Sequence, residues 1–388
     1  MSVAPPRTLN DVVSDGLFIA AAQDVAFEQA MGFIQHVEYD FGTAVAAGIA
    51  DAPVGVRLTT ATGTHRLPAR RLATVHAGRW TWATYLTASL AIPELHGTWP
   101  YRSALVAAAR TLAAGAPLLF AERAGGHEVV ALDFKGHGVP ISHALTRALA
   151  MSTPMVDERR AAATYGHIPG AVFSGTQLYS WQPDHLGTSP TLEEIRADAH
   201  YMAIEQRLWW DANFATSSIN LRRESPTASI SPGRVSTGSA SAGASSGGGF
   251  SGHGTFTAAA FVLALINSRA GTWRWGWAEP EWMALHEGTG NVRRFGADHG
   301  LALLLRPELP LKQAQEQQLA QVAMPILSLW TLREVPLDAS TSALVFLDAP
   351  QLRLPPLRPE IRDAVLAHPA PGLDADRARA AYLRLRQT

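Results

Sequence analysis

"GTWRWGWAEPEW", residues 271–282, places four of the chain's eleven tryptophans within twelve positions. In a β-strand successive side chains point to opposite faces, so Trp273, Trp275 and Trp277 share one face while Arg274 and Gly276 take the other. Burying three indoles contributes several kcal/mol at about 25 cal/mol per Å². The pattern predicts a core-facing strand packed under a helix, against Tyr201, Trp209 and Trp210. An echo, "GRWTWATY" at 78–85, repeats the first two indoles as Trp80 and Trp82 and has Thr84 in place of the third. A wall present twice suits a core; a binding strip would need only one. Trp282, beyond the break at Pro280, has no counterpart and stays a candidate for ligand contact.

The echo belongs to a longer repeat. "LNDVVSDGLFIAAAQDVAFEQAM" (9–31) lies without gaps over "LEEIRADAHYMAIEQRLWWDANF" (192–214), matching Leu9, Asp15, Ala20 and Gln23 to Leu192, Asp198, Ala203 and Gln206. The matched apolar positions recur three, four and seven apart, the spacing of one helical face. Each copy therefore opens with an amphipathic helix. "SALVAAARTLAAGAPLLFAE" (103–122) then lies over "TGNVRRFGADHGLALLLRPE" (289–308), and "VPISHALTRALA" (139–150) over "MPILSLWTLREV" (324–335). Hairpins are expected at "RRLATV-HAG-RWTWATY" and at "AAAFVLALI-NSRAG-TWRWGWA", the latter turning at Asn267 and Gly271. The fold class is α+β: two tandem domains, each with an N-terminal helix, a mostly antiparallel sheet and further helices.

The expected domains are residues 1–180 and 190–352, separated by "SWQPDHLGTSPT" (180–191), where Thr191 caps the second opening helix. Residues 353–388 read as a C-terminal helical extension of two short helices around "HPAPG". The second copy contains "SPTASISPGRVSTGSASAGASSGGGFSG" (225–252), in which only Ile230, Arg234, Val235 and Phe250 are not Ser, Gly, Ala, Thr or Pro. Such a segment has little apolar surface to offset ordering entropy, so a disordered loop is expected there.

Composition narrows function by exclusion. The 388 residues carry 33 acidic and 32 basic side chains, without the basic excess of a nucleic-acid binder. Only Lys135 and Lys312 are lysines, and with the abundant Ala, Gly and Pro this suggests a high-GC bacterial coding sequence. There is no cysteine, hence no disulfide, thiol nucleophile or thiolate metal site. No run reaches the ~18 apolar residues of a membrane span, and no leader pattern opens the chain. A cytoplasmic protein with no membrane partner is expected. Fourteen histidines show no metal-ligand spacing, and "GASSG" (243–247) lacks the strand and helix that a nucleophile elbow requires. No cofactor or metal is expected.

The copies disagree most at "NVRRFGADHG" (291–300). In the alignment above, Arg293, Arg294, Asp298 and His299 replace Ala107, Ala108, Leu112 and Ala113. Paired arginines suit a carboxylate or phosphate. Arg294 and Asp298 also stand four apart on one helical face, where an ion pair is the simpler role. The favoured function is a non-catalytic binding protein for a protein, peptide or small ligand, using the face near Arg293 and His299 or a cleft between the copies. The alternative is an enzyme with His286, Asp298 or His299 as acid or base and Arg293 or Arg294 holding an anionic substrate.

Finally, "AGTWRWGWAEP", with an apolar strand before it and a helix after, resembles the signature of an uncharacterised bacterial domain family that carries Gly-Thr-Trp-x-Trp-x-Trp-Ala-x-Pro. The resemblance covers about 192–352 and, in degenerate form, the first copy. It implies an α+β domain and brings no activity or functional residues.

Overall fold

The computed structural model describes residues 3–42, 53–83, 87–123, 125–183, 188–222, 225–232, 254–283 and 287–387. They fall into two compact units, Met1–Gly187 and Thr188–Thr388. Unit one opens with α1 (Leu9–Met31), followed by β1 (Ile34–Asp40), β2 (Pro53–Thr60), β3 (Gly63–His76) and β4 (Arg79–Trp82). After a 3₁₀ turn at Pro93–Leu95 come β5 (Thr98–Pro100), α2 (Ser103–Leu112), β6 (Leu118–Arg123) and β7 (Gly126–Leu132). It closes with α3 (Ile141–Met151), α4 (Glu158–Tyr165) and a hairpin of β8 (Val172–Ser174) and β9 (Gln177–Ser180).

Unit two opens with α5 (Leu192–Phe214), followed by β10 (Ser218–Leu221), β11 (Thr227–Ser231), β12 (Phe256–Asn267) and β13 (Thr272–Trp275). Next are α6 (Pro280–Met283), α7 (Glu287–His299), a 3₁₀ turn at Ala302–Leu304, β14 (Glu308–Pro310), α8 (Leu311–Glu316) and α9 (Leu319–Leu327). The unit continues through β15 (Leu332–Pro336), β16 (Thr341–Asp348), α10 (Pro359–Leu366) and α11 (Ala375–Gln387).

The two seven-stranded antiparallel sheets have one topology. β1-β2-β3-β4-β5 with β7 on β3 and β6 on β7 matches β10-β11-β12-β13-β14 with β16 on β12 and β15 on β16. Even the irregularities agree: β3 shifts register against β7 between Arg71 and Ala73, and β12 against β16 between Val262 and Ala264. Just past each shift an alanine pairs with the second tryptophan, Ala73 with Trp82 and Ala264 with Trp275. The chain is thus a duplicated α+β protein.

Both opening helices start in a capping box. The Thr8 and Thr191 side chains accept from the third helical N–H, and Asp11 and Glu194 reach back to the cap N–H. Each helix then crosses its sheet. In unit one Leu9 and Val12 pack with Trp80 and Trp82, and Phe27 and Met31 with Val54, Val56 and Leu58. In unit two Trp210 and Phe214 occupy the places of Phe27 and Met31 and pack on Ala228, Ile230 and Val262.

Trp80, Trp82, Trp273, Trp275 and Trp277 are all buried. Each pair is edge-to-face, with centroids 5.1 Å apart for Trp80–Trp82 and 5.4 Å for Trp273–Trp275. The second indole of each pair donates Nε1–H to a 3₁₀-turn carbonyl, Trp82 to Glu94 at 2.9 Å and Trp275 to Leu303 at 3.2 Å. Two details differ from the reading above. The strand ends at Trp275, and Trp277 reaches the core from a 3₁₀ turn, because a Cβ on Gly276 would lie 1.9 Å from the Val262 carbonyl oxygen. The expected partners also sit elsewhere, Tyr201 against Val365, Ala378 and Tyr382, and Trp210 on β11 and β12.

Three further expectations are corrected. The 103–122 and 139–150 alignments fail, because α2 follows β5 whereas α7 lies between β13 and β14; the counterpart of α2 is α9, packed on α5 as α2 packs on α1. The extension is no separate segment: α10 and α11 pack on α5 as α3 and α4 pack on α1. Residues 148–165 indeed align without gaps with 365–382, eight of eighteen identical. Lastly, the Ser/Gly-rich stretch forms β11 at its start, since the alternation Thr-Ala-Ser-Ile-Ser turns Ala228 and Ile230 inward. Residues 233–252 of it lie outside the described residues.

That realigned repeat carries the clamp of each unit. Asp157 and Asp374 cap α4 and α11 by accepting from the N–H groups of Arg160 and Arg377. The same arginines grip the opening helix in two-point ion pairs. Arg160 Nε lies 2.7 Å from Asp15 Oδ1 with Nη2–Oδ2 also at 2.7 Å, and Arg377 bonds Asp198 at 2.9 and 2.8 Å. Arg160 and Asp15 are 14% and 15% exposed, against 34% and 26% for Arg377 and Asp198, and Arg377 also bonds Glu194 at 2.9 Å.

Asp15→Ala therefore leaves a mostly buried guanidinium without its counter-charge and should cost on the order of 3 kcal/mol. Asp198→Ala leaves Glu194 in place and should cost about 1 kcal/mol. Hydrogen exchange in α1 and α5, read separately, checks the difference; equal losses would contradict it. The capping carboxylates add a pH dependence. Asp11 is held below the usual carboxylate range mainly by the Arg7 N–H, and Glu194 mainly by the Thr191 N–H. A depressed folded-state pKa gives stability that is complete above the unfolded value, about pH 4, and lost as pH falls through the folded one. The thermal midpoint should drop below about pH 4 less steeply in Asp11→Ala/Glu194→Ala than in the parent protein.

Candidate functional site

The residues singled out from sequence do not come together. On α7, Arg293 lies over the Trp277 ring, 5.0 Å from its centroid. Arg294 is exposed and donates to Asn291 Oδ1 at 3.3 Å, while Asp298 is exposed without the expected Arg294 pair. His299 rests against Phe295 with ring centroids 4.2 Å apart. Trp282 falls within α6, and His286 lies outside the described residues. Among the described residues no group of three or more His, Asp or Glu side chains is arranged to hold a metal ion. No described helix is long and apolar enough to cross a membrane.

A more organised set lies on the opening helix of unit two. Gln23 and Gln206 occupy the same helical position, and each ties its helix to the chain leaving the last strand of its sheet. In unit one the tie is closed: Gln23 Nε2–H donates to the Gly136 carbonyl at 3.3 Å and Gln23 Oε1 accepts the Gly136 N–H at 2.9 Å. Gly136 is pressed against the helix, since a Cβ there would lie 2.0 Å from the Ala26 Cβ. In unit two the tie is one-sided. Gln206 Nε2–H donates to Thr331 Oγ1 at 2.7 Å and to the Leu352 carbonyl at 3.0 Å, and its Oε1 accepts nothing among the described residues.

Beside Gln206 is a cavity of about 350 Å³. Its walls are Met202 and Gln206 of α5, the Ser328–Thr331 turn, residues around Asp348 and Leu352, and Arg386 of α11. Local structure explains the opening. Ser328 ends α9 in the left-handed region at φ 53°, so Leu329 and Trp330 leave the helix axis before β15 begins.

Arg386 is held from behind by a carboxylate that unit one lacks. Ala22 of α1 corresponds to Glu205 of α5, which is almost fully buried. Arg386 Nε lies 2.9 Å from Glu205 Oε2, and its Nη2–H donates to Glu205 Oε1 at 3.1 Å and the Pro355 carbonyl at 2.5 Å. Tyr382 donates to Glu205 Oε2 at 3.0 Å. Burial first, then the charge of Glu205, pushes the Tyr382 hydroxyl well above the usual phenol range, so it remains a donor. Arg386 Nη1 has no partner among the described residues. Both residues line the cavity, and each keeps one polar group without a partner among the described residues, an acceptor on Gln206 and a donor on Arg386. Sequence reasoning missed both, although Gln206 was matched to Gln23; the available signal was the Ala22-to-Glu205 change one position before an identical glutamine.

Residues 193–350 match a family of unknown function (DUF6882). The match includes Gln206, Glu205 and Asp348 and ends before α11, the helix that supplies Tyr382 and Arg386. No curated protein matches the chain, and no solved structure does.

Arg386→Met should strand the Glu205 carboxylate in a buried site and cost about 3–5 kcal/mol. Glu205→Gln/Arg386→Met removes both charges and should recover most of that loss. Chemical denaturation of the single and double variants checks the coupling; additive losses would mean the two groups act independently.

Proposed function

We propose that the chain is a non-catalytic binding protein whose ligand site is the unit-two cavity beside Gln206 and Arg386. The observation that carries this reading is the contrast at one helical position: Gly136 closes the Gln23 amide in unit one, and a cavity lies beside the Gln206 amide in unit two. Its volume falls at the small end of small-molecule sites. A core needs no such opening, and a buried Glu205–Arg386 pair is costly unless it positions something. The α7 residues give less support to an acid–base enzyme, since Arg293 is spent on Trp277 and Arg294 and Asp298 face solvent separately.

A thermal-shift fragment screen tests the reading, since a ligand that binds only the folded state raises the midpoint by mass action. Fragments that stabilise the parent protein should lose their effect in Leu354→Trp, whose ring occupies part of the cavity, and keep it in Arg293→Ala. The reverse pattern would move the site to α7, and no stabilising fragment at millimolar concentration would overturn the proposal.

A further inference from the structure

The two free groups of the cavity have opposite hydrogen-bonding character, and neither can turn away. Gln206 is tied to the Leu352 carbonyl and Arg386 to that of Pro355, three residues further along the same segment. Both heads are thereby fixed against one short stretch of chain. Arg386 is also bound to Glu205, whose residue neighbours Gln206 on α5. The two groups left without a partner among the described residues are an acceptor, Gln206 Oε1, and a donor, Arg386 Nη1–H, on two residues that line the same cavity.

From this we infer that the cavity recognises a neutral carboxamide edge, a carbonyl oxygen accepting from Arg386 beside an N–H donating to Gln206. The inference rests on the site proposed above and adds its ligand class. A carboxylate could accept from Arg386, but its second oxygen would face the Gln206 oxygen, lone pair against lone pair. Glu205 has moreover already neutralised the guanidinium, so an anion gains little net charge attraction. An ammonium group would satisfy Gln206 and leave Arg386 facing a cation. Only a ligand with one acceptor and one donor answers both groups, and a site built for such a pair discriminates strongly against ligands that leave one of them unmet.

Benzamide, benzoate and benzylamine, similar in size and different in that edge, are suitable probes. With the full chain labelled at methionine methyls and tryptophan indoles, benzamide should shift the Met202 and Trp330 signals saturably. Benzoate and benzylamine should bind about tenfold more weakly. Glu205→Gln/Arg386→Met should erase the preference for benzamide, an effect that lost stability alone would not produce. Benzoate or benzylamine binding as tightly as benzamide at these signals would overturn the carboxamide assignment and leave the cavity as a site. Failure of all three probes to shift either signal would overturn the site and the ligand class together.

Discussion

Each unit is closed by an arginine that reaches from a late helix to an aspartate near the start of the opening helix. Arg160 with Asp15 and Arg377 with Asp198 join segments well over a hundred residues apart in sequence. A 23-residue helix lying across a twisted sheet could slide along its apolar stripe with little loss of area, because hydrophobic burial has no direction. A two-point ion pair does have direction. It sets where along the sheet the helix stops, and the glutamine two turns further on meets the chain leaving the last strand as a result.

The duplication then acts as an internal control. With helix, sheet order, register shift and clamp held in common, a change at one position can be traced to its local consequence. Replacing Ala22 by Glu205 at the same place introduces a buried carboxylate, and only unit two has an Arg386 to meet it. Continued four residues past Tyr165, the alignment sets Pro169, beyond the end of α4, opposite Arg386 of α11. The chemical divergence therefore lies on α5 and α11. The arginine-rich α7 instead belongs to a longer connection, whose shorter equivalent in unit one has the Pro93–Leu95 3₁₀ turn among its described residues.

Sequence periodicity was enough for the α+β class, the two opening helices and the burial of the indoles, because each depends on local spacing. Connectivity was harder. The segment 289–308 shares Val, Ala and Leu with 103–122, and a gapless alignment of two helical, apolar stretches scores alike whether or not they occupy the same place in the sheet order. The stronger repeat, with Leu149, Pro154, Asp157, Arg160 and Tyr165 repeated as Leu366, Pro371, Asp374, Arg377 and Tyr382, lay almost wholly beyond the segments that the misplaced alignments used. Beyond the Ala22-to-Glu205 change, the cavity had no local signature. Its polar pair comes from residues 206 and 386, brought together only by the packing of α11 on α5.

The insertion itself says something about the sheet. Between β4 and β5 the chain uses residues 83–97, and between β13 and β14 it uses 276–307, with two helices in the longer connection. The pairing is nevertheless unchanged: Trp80 faces Trp99 with Arg79 opposite Pro100, and Trp273 faces Leu309 with Thr272 opposite Pro310. Closure entropy grows only with the logarithm of loop length, so a doubled connection adds about 0.6 kcal/mol. The second indole, anchored to a 3₁₀ carbonyl within the connection in both units, keeps the strand end fixed whatever follows. That connection is a natural port for grafted sequence, and unit one offers the same port with the shorter insert.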